Sequence, residues 1–309
     1  MVIIEGALDF ELNKDTAVAI GKFDGMHRGH SKLLKEVLAK KAEGLSACVF
    51  TFDPSPAVFF GFSDGRELNT KEEKRKMLED MGVDFLIEFP MNANTANMEP
   101  EVFVEEILVK RLHTKWIIAG TDVSFGKKGA GNAALLRDKA EECGYCLTTI
   151  DKVKDGEQEI SSTLVRKHVE MGDMEYAEKL LGAPYTITGK VVHGKSMGRK
   201  MGMPTVNIIP QEKKLLPPNG VYCSAVRVKG KEYSSISNIG IKPTVAKNLA
   251  LGVETHLFDF DEEIYDEEIE VCLFKYLRPE KCFSSLEELQ NQVKKDILAG
   301  KNYQMSKNS

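Results

Sequence analysis

The pattern of apolar runs changes character near Gly182, and this change limits the architecture more than any single motif. Before it, short apolar runs alternate with helical periodicity. Ala17 to Gly21, Leu45 to Phe52, Asp84 to Phe89, Trp116 to Ala119 and Cys146 to Ile150 read as strands. Between them Arg28 to Glu43, Lys71 to Met81, Val102 to Leu112 and Ala133 to Cys143 read as helices. Short apolar runs separated by helices predict a parallel sheet covered on both faces, with ligands beyond the carboxyl ends of the strands. Two further helices follow, Ser162 to Met171 and Met174 to Leu181. After Gly182 come strand-like runs broken by turn residues: Tyr185 to His193, Gly220 to Val228, Glu232 to Ile239, Val253 to Phe260 and Glu268 to Leu277. That order predicts an antiparallel sheet or barrel, closed by one amphipathic helix over Ser285 to Leu298 and a polar, frayed tail from Gly300. The expected domains are 1–183, α/β, and 184–309, mostly β.

A chain of 309 residues that is 42% hydrophobic and 29% charged can bury two cores. Its net charge of −5 argues against a dedicated nucleic-acid binder. The opening MVIIEGALDF has no basic stretch or long apolar stretch, and no run of 18 apolar residues occurs, so no secretory signal or membrane span is expected. A cytoplasmic protein follows as the expectation, with no membrane or nucleic-acid partner, as a monomer or weak homo-oligomer. The six cysteines are scattered, and Cys143-Gly144-Tyr145-Cys146 has no second ligand pair; it reads as a helix end running into a strand.

The strongest local signal is GKFDGMHRGH, residues 21–30, at a strand-to-helix junction. Gly21 and Gly25 permit a tight turn and close approach of a ligand. The helix offers free N–H groups and its positive dipole end, and His27 and His30 share one face of its first turn. Two imidazoles there can donate to phosphate oxygens as charge develops at phosphorus. Farther along, Ser161, Ser162 and Thr163 precede a helix, with Arg166 on the same face. Read alone, they fit either an ordinary cap with a solvated arginine or an anion clamp.

GxFDGxHxGH resembles the signature of the nucleotidylyltransferase superfamily, in the extended form of the FMN adenylyltransferase module of bacterial bifunctional riboflavin kinase/FAD synthetases. TFDP at 51–54, GTDVSFGKKGAGN at 120–132 and ISSTLVR at 160–166 resemble that family's later motifs in the same order. The resemblance implies that Phe23, Asp24, His27 and His30 meet ATP with Gly21, Gly25 and Asp122, and that Ser162, Thr163 and Arg166 hold its phosphates. Asp53, Pro54, Phe125 and Asn132 would serve the flavin side. The chain departs from the pattern at Ser55, Leu164 and Asn132, where the family usually has histidine, arginine and an acid.

Residues 189–196 fit the GxxxxGK[ST] phosphate-loop pattern, but their interval is strand-like and no helix follows, so that reading is rejected. The stretch 191–208, VVHGKSMGRKMGMPTVNI, is instead a strand, a basic glycine loop and a strand. Gly194, Gly198 and Gly202 can bring N–H groups to phosphates, and Lys195, Arg199 and Lys200 add charge. Thr205 and Asn207 are two apart on a strand, so a hydroxyl and a carboxamide oxygen share a face that suits Mg²⁺. This stretch resembles the riboflavin kinase signature, and NGVY at 219–222, NIGIKPT at 238–244 and VETHLFDFDEEIYDEEIEV at 253–271 follow in that family's order. Met203, Val206 and the lack of a glycine pair after Thr244 depart from it. The resemblance implies that Glu254 is the base for the ribityl hydroxyl and that Asn238 and Arg278 lie beside the flavin. It implies an enzyme that makes FMN from riboflavin with MgATP and then FAD from FMN and a second ATP. The alternative is a FAD synthetase with a silent kinase-like domain.

Overall fold

The computed structural model describes residues 1–193, 204–243 and 249–308. Its contacts divide the chain into two compact units, Met1–Ser162 and Thr163–Ser309. This division falls upstream of residues 183 and 184, and assigns the helix Met174–Leu181 and all but the first residue of Ser162–Met171 to the second unit.

The first unit is built on a six-stranded sheet: β1 (Val2–Glu5), β2 (Thr16–Ile20), β3 (Ser46–Asp53), β4 (Phe85–Pro90), β5 (Thr114–Gly120) and β6 (Cys146–Ile150). The strands run in the order β1-β4-β3-β2-β5-β6, with every pair parallel. Alternation along β2 explains why it sits in the middle. Val18 and Ile20 face one apolar cluster with Phe50 and Ile117. Ala17 and Ala19 face the other, with Leu33, Leu34 and Val37 of helix α1 (Arg28–Ala39). A strand buried on both faces reads as a continuous apolar run. From β2 the chain steps outward to β3 and β4 on one side, then to β5 and β6 on the other. The strand order therefore reverses between β2 and β5, the place where open α/β sheets bind ligands.

Some local windings differ from the periodicity. The 103–111 stretch, expected as an ordinary helix, is wound as a π-helix from Phe103 to Arg111, with Leu112 N–H donating to the Ile107 carbonyl at 3.1 Å. The expected helix at 133–143 is two short ones, Ala133–Asp138 and Ala140–Cys143. Gly144 ends the second at φ 70°, where a residue without Cβ is favoured, and Cys143 and Cys146 are both free thiols. The hairpin β7 (Lys154–Asp155) and β8 (Gln158–Glu159) and the edge strand β1 were not expected.

In the second unit six antiparallel strands close into a barrel, in the order β10-β13-β12-β11-β14-β9 with β10 also pairing β9. They are β9 (Tyr185–Val192), β10 (Val206–Ile208), β11 (Gly220–Val228), β12 (Lys231–Pro243), β13 (Leu249–Leu257) and β14 (Glu268–Arg278). Buried hydroxyls form a chain across it: Ser224 bonds Ser235 and Ser237 at 2.8 Å, and Ser237 bonds Thr255 at 2.7 Å. Each buried hydroxyl is thus paired, as burial of polar groups requires.

The closing helix runs Leu286–Asn308, so the tail from Gly300 is helical rather than frayed. Packing accounts for the correction. A Cβ at Gly300 would lie 2.8 Å from Ile236 Cγ2, so glycine there allows close approach to the barrel. Tyr303 packs on Cys223 and Cys272, the Gln304 amide donates to the Ser224 carbonyl at 2.6 Å, and Lys307 pairs with Glu178 at 2.7 Å. No helix among the described residues is long and apolar enough to cross a membrane.

Candidate active sites

The first site forms where β2 ends beside β5. Gly21 continues from β2, and a Cβ on it would lie 3.0 Å from the Phe23 ring. Phe23 and Met26 hold positive φ, 48° and 38°, conformations that side chains adopt rarely and that cluster at functional turns. Gly25 has φ +84°, and a Cβ there would meet Leu68 Cδ1 at 2.6 Å. Asp24 ties the turn down: its carboxylate accepts from Leu68 N–H at 2.8 Å, and its carbonyl accepts from the Ser162 hydroxyl at 2.7 Å. The turn delivers His27 to the N-cap of α1, where Nδ1 accepts from His30 N–H at 3.4 Å. The two imidazoles stack with centroids 3.8 Å apart, and Phe23 lies 5.1 Å from His30.

Both rings are buried, and burial controls their charge. Desolvation pulls His27 down to about 4 against the opposing pull of Asp24, of a hydrogen bond to its own backbone and of Asp122. His30 lies well below the ordinary imidazole value for the same reason, helped by His27 and Lys74. The pair is neutral around pH 7 in the free site. Asp122, just past β5, faces Lys152 at 3.4 Å.

Other expected residues stand differently. Phe125 is buried in the apolar cluster against Phe103, ring to ring at 5.3 Å. Asn132 caps the helix Ala133–Asp138, its side-chain oxygen accepting from Ala134 and Leu135 N–H at 2.9 and 3.1 Å. The Asp53–Pro54 bond is cis, and Asp53 pairs with Lys71 at 2.5 Å. Thr163 is exposed and Arg166 half-buried on the helix Ser162–Met171, whose Leu164 is buried.

The Asp53 contact belongs to a network that no sequence motif marks. Lys71 and Arg75 lie one turn apart on the helix Lys71–Asp80 and face the ends of β1, β3 and β4. Lys71 reaches Glu5 at 2.7 Å and Glu88 at 3.5 Å, while Arg75 bonds Glu5 at 2.6 Å and also holds Glu88, which is 1% exposed. Glu5, Asp53 and Glu88 are close enough to hold a metal ion, but the two cations already occupy the space between them. The i, i+4 spacing of Lys71 and Arg75 was visible; their partners, spread over residues 5 to 88, were not.

The second site lies on the barrel. Register places Asn207 opposite Glu254, and Glu254 opposite Asn238, one row across β10, β13 and β12. The Thr205 hydroxyl donates to the Glu254 carboxylate at 3.0 Å. Asn238 donates to Glu280 at 3.3 Å, and its own side-chain oxygen is buried with no hydrogen-bond partner among the described residues. A Cβ at Gly240 would come within 2.0 Å of the Glu280 carboxylate, so glycine makes room for it. Arg278 is forked onto buried Asp296, Nε at 3.0 Å and Nη2 at 2.7 Å. A pocket of about 240 Å³ adjoins Thr205 and Asn207 and is walled by Val191, Leu257, Phe260 and Tyr265. The donors Thr205, Asn207 and Glu254 are all oxygens, a set that fits a hard divalent cation. Gly194, Lys195, Gly198, Arg199 and Gly202 lie outside the described residues, as do Ser196 and Thr244.

The FAD synthetase family model matches residues 9–164, and the riboflavin kinase model matches residues 181–304. A protein of Listeria monocytogenes named bifunctional riboflavin kinase/FMN adenylyltransferase is 36% identical over 93% of this chain and 91% of its own. Proteins of the same name from Buchnera aphidicola and Escherichia coli K12 are 37% and 35% identical, over 98% and 93% of this chain and 99% and 92% of theirs. A crystal structure titled macrolide-efflux protein from Streptococcus pneumoniae superposes with a TM-score of 0.85 at 28% identity, covering 97% of this chain and 98% of that one.

Proposed function

The chain belongs to the bifunctional riboflavin kinase/FMN adenylyltransferase family, and on that premise we propose how its residues divide two reactions. Riboflavin is phosphorylated by ATP to FMN, and FMN takes AMP from a second ATP to give FAD and pyrophosphate.

Glu254 takes the proton of the ribityl 5′-hydroxyl as that oxygen attacks the γ-phosphorus of ATP and the bond to the β-phosphate oxygen breaks. An alcohol is a poor nucleophile at neutral pH, so a placed carboxylate is what the step lacks otherwise. The observation that carries this reading is the row Asn207, Glu254 and Asn238, with the Thr205 hydroxyl on the same carboxylate. Thr205 and Asn207 would hold Mg²⁺, which when bound neutralises phosphate charge. The adjoining pocket has the chemistry for the adenine and ribose, and Gly194, Lys195, Gly198, Arg199 and Gly202 serve the phosphates. Asn238 and Arg278 take the flavin side, Arg278 with its guanidinium oriented by Asp296. An oxygen set this complete supports an active kinase over a silent one.

In the first site an oxygen of the FMN phosphate attacks the α-phosphorus of ATP and pyrophosphate leaves, with no protein nucleophile. His27, His30 and Arg166 stabilise the charge at phosphorus. Gly21, Phe23, Asp24, Gly25, Asp122, Ser162 and Thr163 shape the ATP site, and Asp53, Pro54, Phe125 and Asn132 the flavin side. Because Ser162, Thr163 and Arg166 serve this reaction, the functional division is 1–183 and 184–309, later than the division by contacts. The protein acts in the cytoplasm, where ATP is made, as a monomer or weak homo-oligomer. Its net charge of −5 supports small-molecule substrates rather than nucleic acid or membrane surfaces.

Incubation with riboflavin, ATP and Mg²⁺ tests this reading. FMN should appear first and FAD follow. FAD from supplied FMN, with no product from riboflavin, would mean a silent kinase. No product from either flavin would overturn both assignments.

A further inference from the structure

His27 caps α1 in an uncommon way. The usual N-cap acceptors are the side-chain oxygens of serine, threonine, aspartate and asparagine. Here the acceptor is a ring nitrogen, Nδ1, taking the His30 N–H at 3.4 Å with His27 itself extended, φ −68° and ψ 170°. Gly29 leaves room for the fold-back, because a Cβ at that position would sit 3.1 Å from both Cε1 and Nδ1 of the ring and crowd it by a few tenths of an ångström. His30 then stacks over it at 3.8 Å and 19°, and both residues are less than a tenth exposed. The ring is fixed from three sides: the cap, the missing Cβ and the stack.

This geometry determines which protonation state the site can use. Neutral imidazole has one donor and one acceptor, whereas imidazolium has two donors and no acceptor. A proton on Nδ1 would point at the His30 N–H, break the cap and add positive charge to the positive end of the helix. The charged groups around the pair do not reverse this. Asp24, a hydrogen bond between the ring and its own backbone, and Asp122 favour a charged His27, while burial opposes it more strongly. Lys74 and the neighbouring ring oppose charge on His30.

Building on the adenylyl-transfer reading, we infer that His27 works as a neutral imidazole locked in the Nε2–H tautomer, with its Nδ1 lone pair committed to the helix cap and its Nε2–H offered to a phosphate oxygen. Gly29 is then a positioning residue, since it admits the ring to that place. The stabilisation supplied to the developing charge is a fixed hydrogen bond and the helix end, not an ion pair. FAD formation does not then decline with the loss of an imidazolium as pH rises through the usual histidine range.

Two measurements test this. The first is nitrogen NMR of the full chain with labelled histidine, free of substrate, from pH 5.5 to 8. His27 should show a protonated Nε2 and an unprotonated Nδ1 throughout. A protonated Nδ1, or a titration near 6.5, overturns the inference. The second separates the two ring atoms by substitution. His27→Asn keeps an acceptor near the Nδ1 position and removes the outer donor. His27→Gln places an amide near the Nε2 position and loses the cap. With FMN supplied, His27→Asn should melt like the parent and lose about 10²-fold or more in kcat for FAD. His27→Gln should melt lower and keep more of that activity. The opposite order, or a parent rate that falls through pH 6.5 as an imidazolium is lost, sinks the inference. If the parent makes no FAD from FMN, the adenylyl-transfer reading fails, and the NMR result still decides the tautomer.

Discussion

Glu254 shows how much one side chain owes to its position in a sheet. On β13 it lies between Asn207 and Asn238 by register, and Thr205 donates to its carboxylate at 3.0 Å. Glu254→Gln keeps the shape and the hydrogen bond but removes the base. Conversion of riboflavin to FMN should fall about 10²- to 10⁴-fold, while FAD formation from supplied FMN stays at the parent rate. Flavin chromatography of the two reactions, run side by side, checks this. A variant still making FMN at more than a tenth of the parent rate would remove Glu254 from that role. The stacked histidines lead to a prediction of a different kind. His27 titrates near 4 in the folded chain against 6.5 when unperturbed, so between those values the unfolded chain binds protons that the folded one does not. Stability is therefore full above about 6.5 and declines as pH falls toward about 4, by roughly 3 kcal/mol from His27, with His30 acting in the same direction. Thermal melts across that range should show the first unit losing stability in this window. His27→Asn should flatten the decline.

At the scale of elements, the helix Lys71–Asp80 is held to the sheet by charge as well as by Leu78. Thr70 and Glu73 form a complete capping box, a feature readable from T-x-x-E in the sequence. The ion network was not readable, because Glu5, Asp53 and Glu88 meet only once three strands have paired in parallel. Hydrogen bonds from Lys71 and Arg75 hold Glu5 down at about 2, so its contribution is present above about 4.5 and is lost as pH falls toward 2. Glu88 is the costly member. Arg75→Met leaves a buried carboxylate with Lys71 alone at 3.5 Å, and should destabilise the first unit by about 3 kcal/mol. Denaturant titration followed by circular dichroism measures it, and a loss under 1 kcal/mol would mean that Lys71 alone suffices. The closing helix teaches the same lesson about legibility. Its first turns show a periodic pattern, but the residues from Gly300 are mostly polar in sequence and are held by what they meet, among them Ile236, Ser224 and Glu178. Periodicity records a segment's own apolar face. It does not record a glycine or glutamine whose partner lies 60 to 80 residues away.

For the molecule as a whole, the change of periodicity near Gly182 carried the architecture into view: parallel strands before it, an antiparallel barrel after it. Site legibility was uneven for a physical reason. GKFDGMHRGH could be read because strand end, turn and helix start are consecutive in the chain. The kinase row could be suspected from Thr205, Asn207 and Glu254 separately, but its alignment needed the register of three strands. The two units each have their own buried apolar clusters, one pair around β2 and another under the closing helix. A division of labour between separate sites makes FMN the product of one and the substrate of the other, and a test follows that uses the full chain throughout. Glu254→Gln lacks the base for the first reaction, and His27→Asn lacks the donor for the second. Neither alone should convert riboflavin to FAD. Mixed with riboflavin, ATP and Mg²⁺, they should do so together, because FMN released by the His27→Asn chain diffuses to the intact adenylyl site of the other. The FAD rate should show a lag that shortens as the His27→Asn protein is increased. Restored synthesis with that lag establishes that FMN travels through solution. If the mixture makes no FAD and forms FMN only up to the amount of the His27→Asn chain present, while FMN added from outside is still converted by the Glu254→Gln chain, then FMN is not released and the two reactions are coupled within one molecule.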